Sequence, residues 1–312
     1  MDTVWDCIVV GGGAAGLSAA LALGRARRRT LVVDAGSQSN RPAHGVGGLL
    51  GHDGRPPAEL YELGRRELAA YPSVALRDGE VVEGTRLDGG GFELRLADGT
   101  RERARRVLLA TGMDYRPPQL PGIAERWGRS VFHCPFCHGW EVRERPLAVL
   151  GSGEDGTRRA LLLRAWSDDV TLVTDGPAEL REEDARRLAA AGVAVDERPV
   201  AGLRGPGDAL EAVVFADDGG ELPCNGLLVP VTLHQRSPLA QQLGASTAAA
   251  GLAADAVVVA EMGLATAVPG LSAAGDTTGA MPSVANAVAA GATAAAFVVH
   301  GLMEELAATA AA

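Results

Sequence analysis

The sequence predicts an α/β fold built from two Rossmann-like, three-layer ββα domains. Three observations predict it. A glycine turn, Gly11-Gly12-Gly13-Ala14-Ala15-Gly16, lies between an apolar run at 6–10 and an Ala/Leu-rich stretch at 17–27. A second turn, Gly151-Ser152-Gly153-Glu154-Asp155-Gly156, lies between an apolar run at 146–150 and a helical stretch at 157–166. Each turn is followed by a further apolar run that ends in an acid, Asp34 and Asp175 respectively. Strand, glycine turn, helix, strand and acid in that order make a βαβ unit of about 30 residues. A chain of 312 residues has room for two such domains.

The elements follow in order. The first unit runs as strand 6–10, helix 17–27 and strand 30–33. Residues 36–57 are rich in Gly, Pro, Asn and His without periodicity, and read as a long ordered loop over a cofactor. Residues 58–71 are an amphipathic helix. Alternation within 74–96 between Gly-rich turns predicts an antiparallel meander. A buried strand at 105–110 ends at Thr111-Gly112, and a Pro-rich linker occupies 116–121. The second unit then runs as strand 146–150, helix 157–166, strand 170–173 and helix 182–191, closed by a strand at 227–231. A run at 271–274 leads to Gly275-Asp276 and a small-residue helix at about 283–306. The second pattern is thus inserted into the first. Residues 1–117 and 245–312 form one domain, and 118–244 form the inserted domain.

Composition excludes some functions. The net charge is −10, which opposes binding to nucleic acid or anionic membranes. Every basic residue is Arg, so no lysine can form a Schiff base or clamp a phosphate. The apolar stretch 285–299 falls short of the roughly 20 residues that span a bilayer. The chain enters its first strand at once, with no basic leader or cleavage site, so the expected location is cytoplasmic. Cys7 and Cys224 stand alone in expected strands and read as inert buried thiols. Cys134 and Cys137 are two residues apart, a spacing that in a reducing compartment suits redox or metal chemistry.

The chemistry of each motif can be read directly. Gly11 permits a tight turn, Gly13 lets the backbone approach a pyrophosphate, and Gly16 allows close helix–strand packing. Asp34 is placed to accept ribose hydroxyls. In the second turn, Gly151, Gly153 and Gly156 repeat the pattern, with Asp175 at the ribose position. The segment Val173-Thr174-Asp175-Gly176 holds no arginine pair for a 2′-phosphate. NADPH is therefore disfavoured, while NADH or an empty site both remain open. In His133-Cys134-Pro135-Phe136-Cys137-His138, the two cysteines can close a small disulfide ring. A helix start and flanking imidazoles would favour a thiolate. An inert pair, a zinc site lacking a second ligand pair, and a haem attachment signal are the weaker readings. Gly275-Asp276 could hold a ribityl hydroxyl, with a helix N-terminus nearby. His44, His52, His234, His300 and Trp140 read as surface or packing residues, although His44 and His52 lie in the cofactor loop.

Gly11 to Gly16, Ala110-Thr111-Gly112, Cys134 to Cys137, the turn at Gly151 and 268–276 (Val-Pro-Gly-Leu-Ser-Ala-Ala-Gly-Asp) together resemble low-molecular-weight thioredoxin reductase, over nearly the whole chain. The resemblance implies that family's architecture and an FAD site. That site comprises Gly11, Gly13, Ala14, Ala15, Gly16, Asp34, Ala35, Asn40, Val82, Ala110, Thr111, Gly112, Gly275 and Asp276. Two departures stand out: His138 replaces the Asp that follows the second cysteine, and the basic cluster for NADPH is missing. Cys134 to Glu141 (Cys-Pro-Phe-Cys-His-Gly-Trp-Glu) instead resembles the dithiol oxidases that close disulfides in gliotoxin, holomycin and romidepsin. That likeness implies a homodimer, a small-molecule dithiol substrate of holomycin type, and O2 reduced to H2O2. The substrate thiolate would attack Cys134, with Cys137 nearer the flavin and His138 as general base. The rival readings are an NAD(P)H-dependent disulfide reductase acting on a thioredoxin-like protein, and a non-catalytic redox-sensing flavoprotein.

Overall fold

The computed structural model describes residues 4–216 and 219–311. The chain separates into two units: one made of the stretches up to 41, 57–115 and from 232 onward, the other of 42–56 and 116–231. The expected boundaries were 118 and 245. Segment 232–244 groups with the first unit because Thr232–Gln235 pairs with Ala253–Val257 in that unit. Leu243 also packs against Gly84 there. Segment 42–56 groups with the second unit, held by Arg129, whose Nε donates to the Pro42 carbonyl at 2.8 Å.

The main sheet of the first unit runs in the order Val74–Asp78, Thr30–Asp34, Val4–Val10, Arg101–Leu109, Phe92–Leu96, Val81–Arg86. Leu271–Ala273 also pairs with Arg101–Leu109. Thr30–Asp34 is buried throughout, as a strand covered on both faces must be. Its register sets Ile8 beside Leu31 and Val10 beside Val33. The expected meander begins later than its alternation suggested. Val74–Asp78 lies parallel to Thr30–Asp34, and only the strands from Val81 onward are antiparallel.

The first helix spans Ala14–Arg25, starting inside the glycine turn and not after it. It packs on the last helix, Val284–Ala311, through small residues. A Cβ on Gly291 would lie 2.0 Å from the Ala15 carbonyl oxygen, so only glycine permits this approach. Ala19, Ala20, Leu23, Ala294, Ala295 and Leu302 fill the seam and are fully buried. The last helix is longer than the apolar stretch suggested, and Val284–Ala308 has the length and hydropathy to cross a membrane. Its inner face is part of this unit's core, and the Val288 carbonyl accepts a hydrogen bond from Ser18 Oγ at 2.7 Å.

The second unit is a parallel sheet ordered Ala194–Asp196, Val170–Val173, Leu147–Leu150, Gly226–Leu228, Val131–Phe132. Helices Gly153–Leu163 and Glu182–Ala190 accompany it, together with an antiparallel sheet ordered Val200–Arg204, Ala212–Phe215, Glu221–Pro223. Buried Arg126 joins the two sheets' surroundings, its guanidinium donating to the carbonyls of Ala209, Gly122 and Gly205.

Candidate functional site

In the first unit, three strand ends converge. Gly11 N–H bonds the Val33 carbonyl at 2.8 Å, Ala110 N–H bonds Val10 at 2.8 Å, and Ala274 N–H bonds Leu109 at 2.9 Å. Pairing thus continues past each strand, and Gly11, Ala110 and Ala274 lie abreast at the carboxyl edge of a parallel sheet. That edge is where open α/β sheets bind ligands. Gly11 has φ +111°, and a Cβ on it would lie 2.2 Å from the Ala110 carbonyl oxygen. A Cβ on Gly16 would lie 1.8 Å from the Gly11 oxygen, so the turn closes only with glycine at both ends. Gly13 precedes the Ala14–Arg25 helix and no side chain caps it. The helix therefore presents uncapped backbone donors at the turn, an arrangement that suits a pyrophosphate. Gly275 meets Ala15 across the turn, where an added Cβ would stand 2.9 Å from the Ala15 methyl.

The carboxylates here are engaged in ways the sequence did not reveal. Asp34 is buried. Its Oδ1 accepts from Gly12 N–H at 3.2 Å, Gly36 N–H at 3.0 Å and Gln38 Nε2 at 3.2 Å, and its Oδ2 from Arg65 at 3.1 Å. It braces the glycine turn first, and a ribose hydroxyl would compete with Gln38 and Arg65. Asp276 Oδ2 accepts a hydrogen bond from Tyr115 Oη at 2.8 Å. Burial pushes the Asp276 carboxyl above its usual range and outweighs Tyr115 and Arg236, which act the other way. Asn40 is fixed by Tyr61, whose hydroxyl donates to Asn40 Oδ1 at 2.7 Å; burial pushes Tyr61 up to about 12. Ala35 is exposed beside Asp34, Val82 sits where the Val81–Arg86 strand shifts register, and Thr111-Gly112 continue from Ala110 with Gly112 at φ +66°. Gln38, Tyr61, Arg65 and Tyr115 carry no motif, so only the fold brings them to the site.

In the second unit, Val131–Phe132 delivers the chain to a single helical turn, Pro135–His138. Cys134 precedes it in extended backbone, and proline at the first helical position needs no N–H partner. The turn brings the Cα atoms of Cys134 and Cys137 to 5.4 Å, and their sulfurs are joined as a disulfide. Loop 42–56 crosses this turn closely: a Cβ on Gly47 would stand 2.8 Å from the Cys137 carbonyl oxygen. Phe136 packs edge-on against Trp166 at 5.2 Å yet stays largely exposed, as does Trp140, which Arg143 covers at 3.7 Å.

The flanking imidazoles differ from expectation. His138 stacks on Phe132 with ring centres 5.6 Å apart, and both of its nitrogens are buried without a hydrogen-bond partner in the structure. Burial lowers its pKa, and nearby carbonyls and Glu141 offset this only in part. Burial, then His138 and Arg159, lowers His133 to about 4. Both rings are neutral near pH 7 and bring no positive charge to a thiolate. A one-turn helix also has little dipole to offer. A neutral imidazole still has one nitrogen able to donate a proton and one able to accept. Cys7 and Cys224 are buried free thiols, each pushed up to about 12 by burial.

The second glycine turn closes like the first. Gly151 N–H bonds the Val173 carbonyl at 3.0 Å, and a Cβ on Gly156 would stand 2.8 Å from the Gly151 carbonyl carbon. Helix Gly153–Leu163 begins there without a side-chain cap. Asp175 Oδ1 accepts from Val200 N–H at 2.7 Å, while Arg198 grips Asp196 and lies over the Phe215 ring at 3.8 Å.

Two dinucleotide-binding units, one carrying a closed Cys-x-x-Cys, define a nucleotide-dependent disulfide oxidoreductase. The chain belongs to the pyridine nucleotide-disulphide oxidoreductase family, which matches residues 5–291. It is similar to thioredoxin reductase tcpT of Claviceps purpurea, 30% identical over 298 residues, covering 93% of this chain and 92% of that one. It is 37% identical over 185 residues to thioredoxin reductase aclD of Aspergillus oryzae, a match covering 57% of this chain and 59% of that protein. Among solved structures it resembles HlmI, at 37% identity and a TM-score of 0.91, covering 100% of this chain and 97% of that one. The architecture is that of low-molecular-weight thioredoxin reductases.

These likenesses correct two expectations. The enzyme is not read as an O2-using dithiol oxidase, since the relatives matched along most of the chain are named thioredoxin reductases. The residue after the second cysteine could not decide direction: an imidazole and a carboxyl can each carry the proton, whereas redox potentials set which way electrons run. NADPH is not disfavoured either, in a family named for pyridine nucleotides. The segment 173–176 was a poor guide because the residues that meet the end of this strand come from another part of the chain, as Val200 N–H does at Asp175.

Proposed function

We propose that this protein is an NAD(P)H-dependent flavoprotein that reduces disulfides through Cys134 and Cys137. The observation that carries this reading is the Cys134–Cys137 disulfide on the edge of a nucleotide-binding unit, in a chain whose other unit presents an uncapped glycine turn suited to FAD. FAD, when bound, would supply two-electron exchange between reduced nicotinamide and the cysteine pair. The backbone of 13–16 would hold its pyrophosphate, with Asp34 and Gln38 near the ribose and Asp276 at the ribityl chain. The turn at Gly151–Gly156 would hold the nicotinamide dinucleotide. One of the reduced cysteines then attacks a substrate disulfide, the other attacks the enzyme sulfur of the resulting mixed disulfide, and His138, a neutral imidazole, passes a proton to the departing thiolate. A homodimer in a reducing, cytoplasmic setting belongs to the same reading, and sedimentation velocity tests the dimer.

The deciding experiment is anaerobic stopped-flow absorbance of the flavin-loaded protein. NADPH or NADH should bleach the flavin, and two thiols per chain should become titratable. Bleaching by dithiols alone, with neither nicotinamide active, overturns the reading.

A further inference from the structure

A cavity of about 230 Å³ opens in the second unit beside the redox turn. Cys137 and His138 line it, followed by Glu141 and Arg145, while His44, Arg129 and Asp208 close the far side. The far side is self-satisfied: Asp208 pairs with Arg129 and lies 3.2 Å from His44 Nε2. The near side is not. Both ring nitrogens of His138 are shielded from solvent and unbonded. Glu141 and Arg145 border the cavity as exposed side chains and, among the described residues, enter no ion pair, so both charges are free to meet an occupant. A shielded polar group without a partner is destabilising by about 1–3 kcal/mol and ordinarily marks a place for a polar occupant.

The geometry points to this cavity as the seat of a low-molecular-weight disulfide that carries both a carboxylate and an ammonium group. Arg145 takes the carboxylate, Glu141 takes the ammonium, and the sulfur faces Cys137 and His138. A cavity of about 230 Å³ has room for one amino-acid-sized half of such a molecule. A folded protein cannot enter it. This inference rests on the reductase reading and specifies its substrate.

One cysteine thiolate attacks a substrate sulfur, the substrate S–S bond breaks, and one substrate thiolate leaves. The second cysteine thiolate attacks the enzyme sulfur of the mixed disulfide, the second substrate thiolate leaves, and the Cys134–Cys137 bond re-forms. The substrate gains two electrons and the enzyme dithiol loses them. The two protons of the dithiol end on the products, one of them by way of His138. Reduced nicotinamide regenerates the dithiol.

The test uses full-length protein reduced by a water-soluble phosphine, freed of it, and mixed anaerobically with four disulfides. These are L-cystine, cystamine (no carboxylate), dithiodipropionate (no ammonium) and oxidised thioredoxin. Oxidation of the dithiol is followed by rapid alkylation and mass spectrometry. Cystine should react ~10-fold faster than cystamine or dithiodipropionate, the equivalent of one charge-assisted hydrogen bond lost. Arg145→Ala should lower the cystine rate to the cystamine rate and leave the cystamine rate unchanged. Glu141→Gln should slow cystine and spare dithiodipropionate. Equal rates for the three small disulfides, uniform slowing of all of them by Arg145→Ala, or a thioredoxin rate above that of cystine overturns the assignment. Phosphine reduction bypasses the nicotinamide, so a failure here is distinct from a failure of NAD(P)H to bleach the flavin.

Discussion

Acid should weaken this protein through His133, and the size of the effect can be worked out. Burial, His138 and Arg159 hold the folded-state pKa of His133 at about 4, against 6.5 for a free imidazole. The folded pKa lies below the unfolded one. Full stability is therefore present above pH 6.5 and is lost as pH falls, because the unfolded chain takes up a proton that the folded chain refuses. At 1.36 kcal/mol per pH unit, the loss is about 2 kcal/mol at pH 5 and about 3 kcal/mol by pH 4. His138 is lowered too and acts in the same direction. The assay is urea denaturation of the oxidised protein at pH 7 and pH 5, for the wild type and His133→Gln. The other titrating groups are common to both proteins, so the difference between their pH 7 to pH 5 losses isolates His133. The variant should lose about 2 kcal/mol less. An equal loss in the two proteins would falsify the claim that burial keeps this ring neutral.

Three further outcomes are expected. Cys134→Ser should abolish disulfide reduction while flavin bleaching by reduced nicotinamide persists, measured by steady-state and stopped-flow absorbance. Gly16→Ala forces a methyl to 1.8 Å from the Gly11 oxygen and should cost at least about 2 kcal/mol along with most bound flavin, read by denaturation and by the ratio of flavin to protein absorbance. Tyr115→Phe removes the 2.8 Å hydrogen bond to Asp276 and should destabilise the protein by about 1–3 kcal/mol, because a buried carboxyl oxygen is left short of a donor. Unchanged stability would place that bond outside the energetics of the site.

The parts of this protein legible in the sequence are those written in local patterns. Both glycine turns and the strands around them follow from spacing, which also made Cys134 and Cys137 able to pair, and the structure joins them. Helix starts were missed by a few residues because the first helical turn lies within each glycine turn, where composition signals a loop. Val74–Asp78 looked like part of a meander because alternation does not reveal which neighbour a strand will choose. The partners of Asp34 come from positions 12, 36, 38 and 65, and no linear motif joins them. The neutral state of the two histidines was also hidden, since it arises from packing against Phe132 and its neighbours. The missing arginines at 173–176 misled for the same reason: the end of that strand is met by Val200, from a distant part of the chain.

The abreast arrangement of Gly11, Ala110 and Ala274 also has a consequence for biosynthesis. The second unit draws on one short loop and one continuous block, so nearly all of it can fold once residue 231 has emerged from the ribosome. The first unit must wait. Its glycine turn is held by a strand and a helix that are translated after the whole second unit, with Gly275 and Gly291 both seated on Ala15. Its glycine turn is complete only once residues 271–291 have been made, so cofactor loading follows the folding of the second unit.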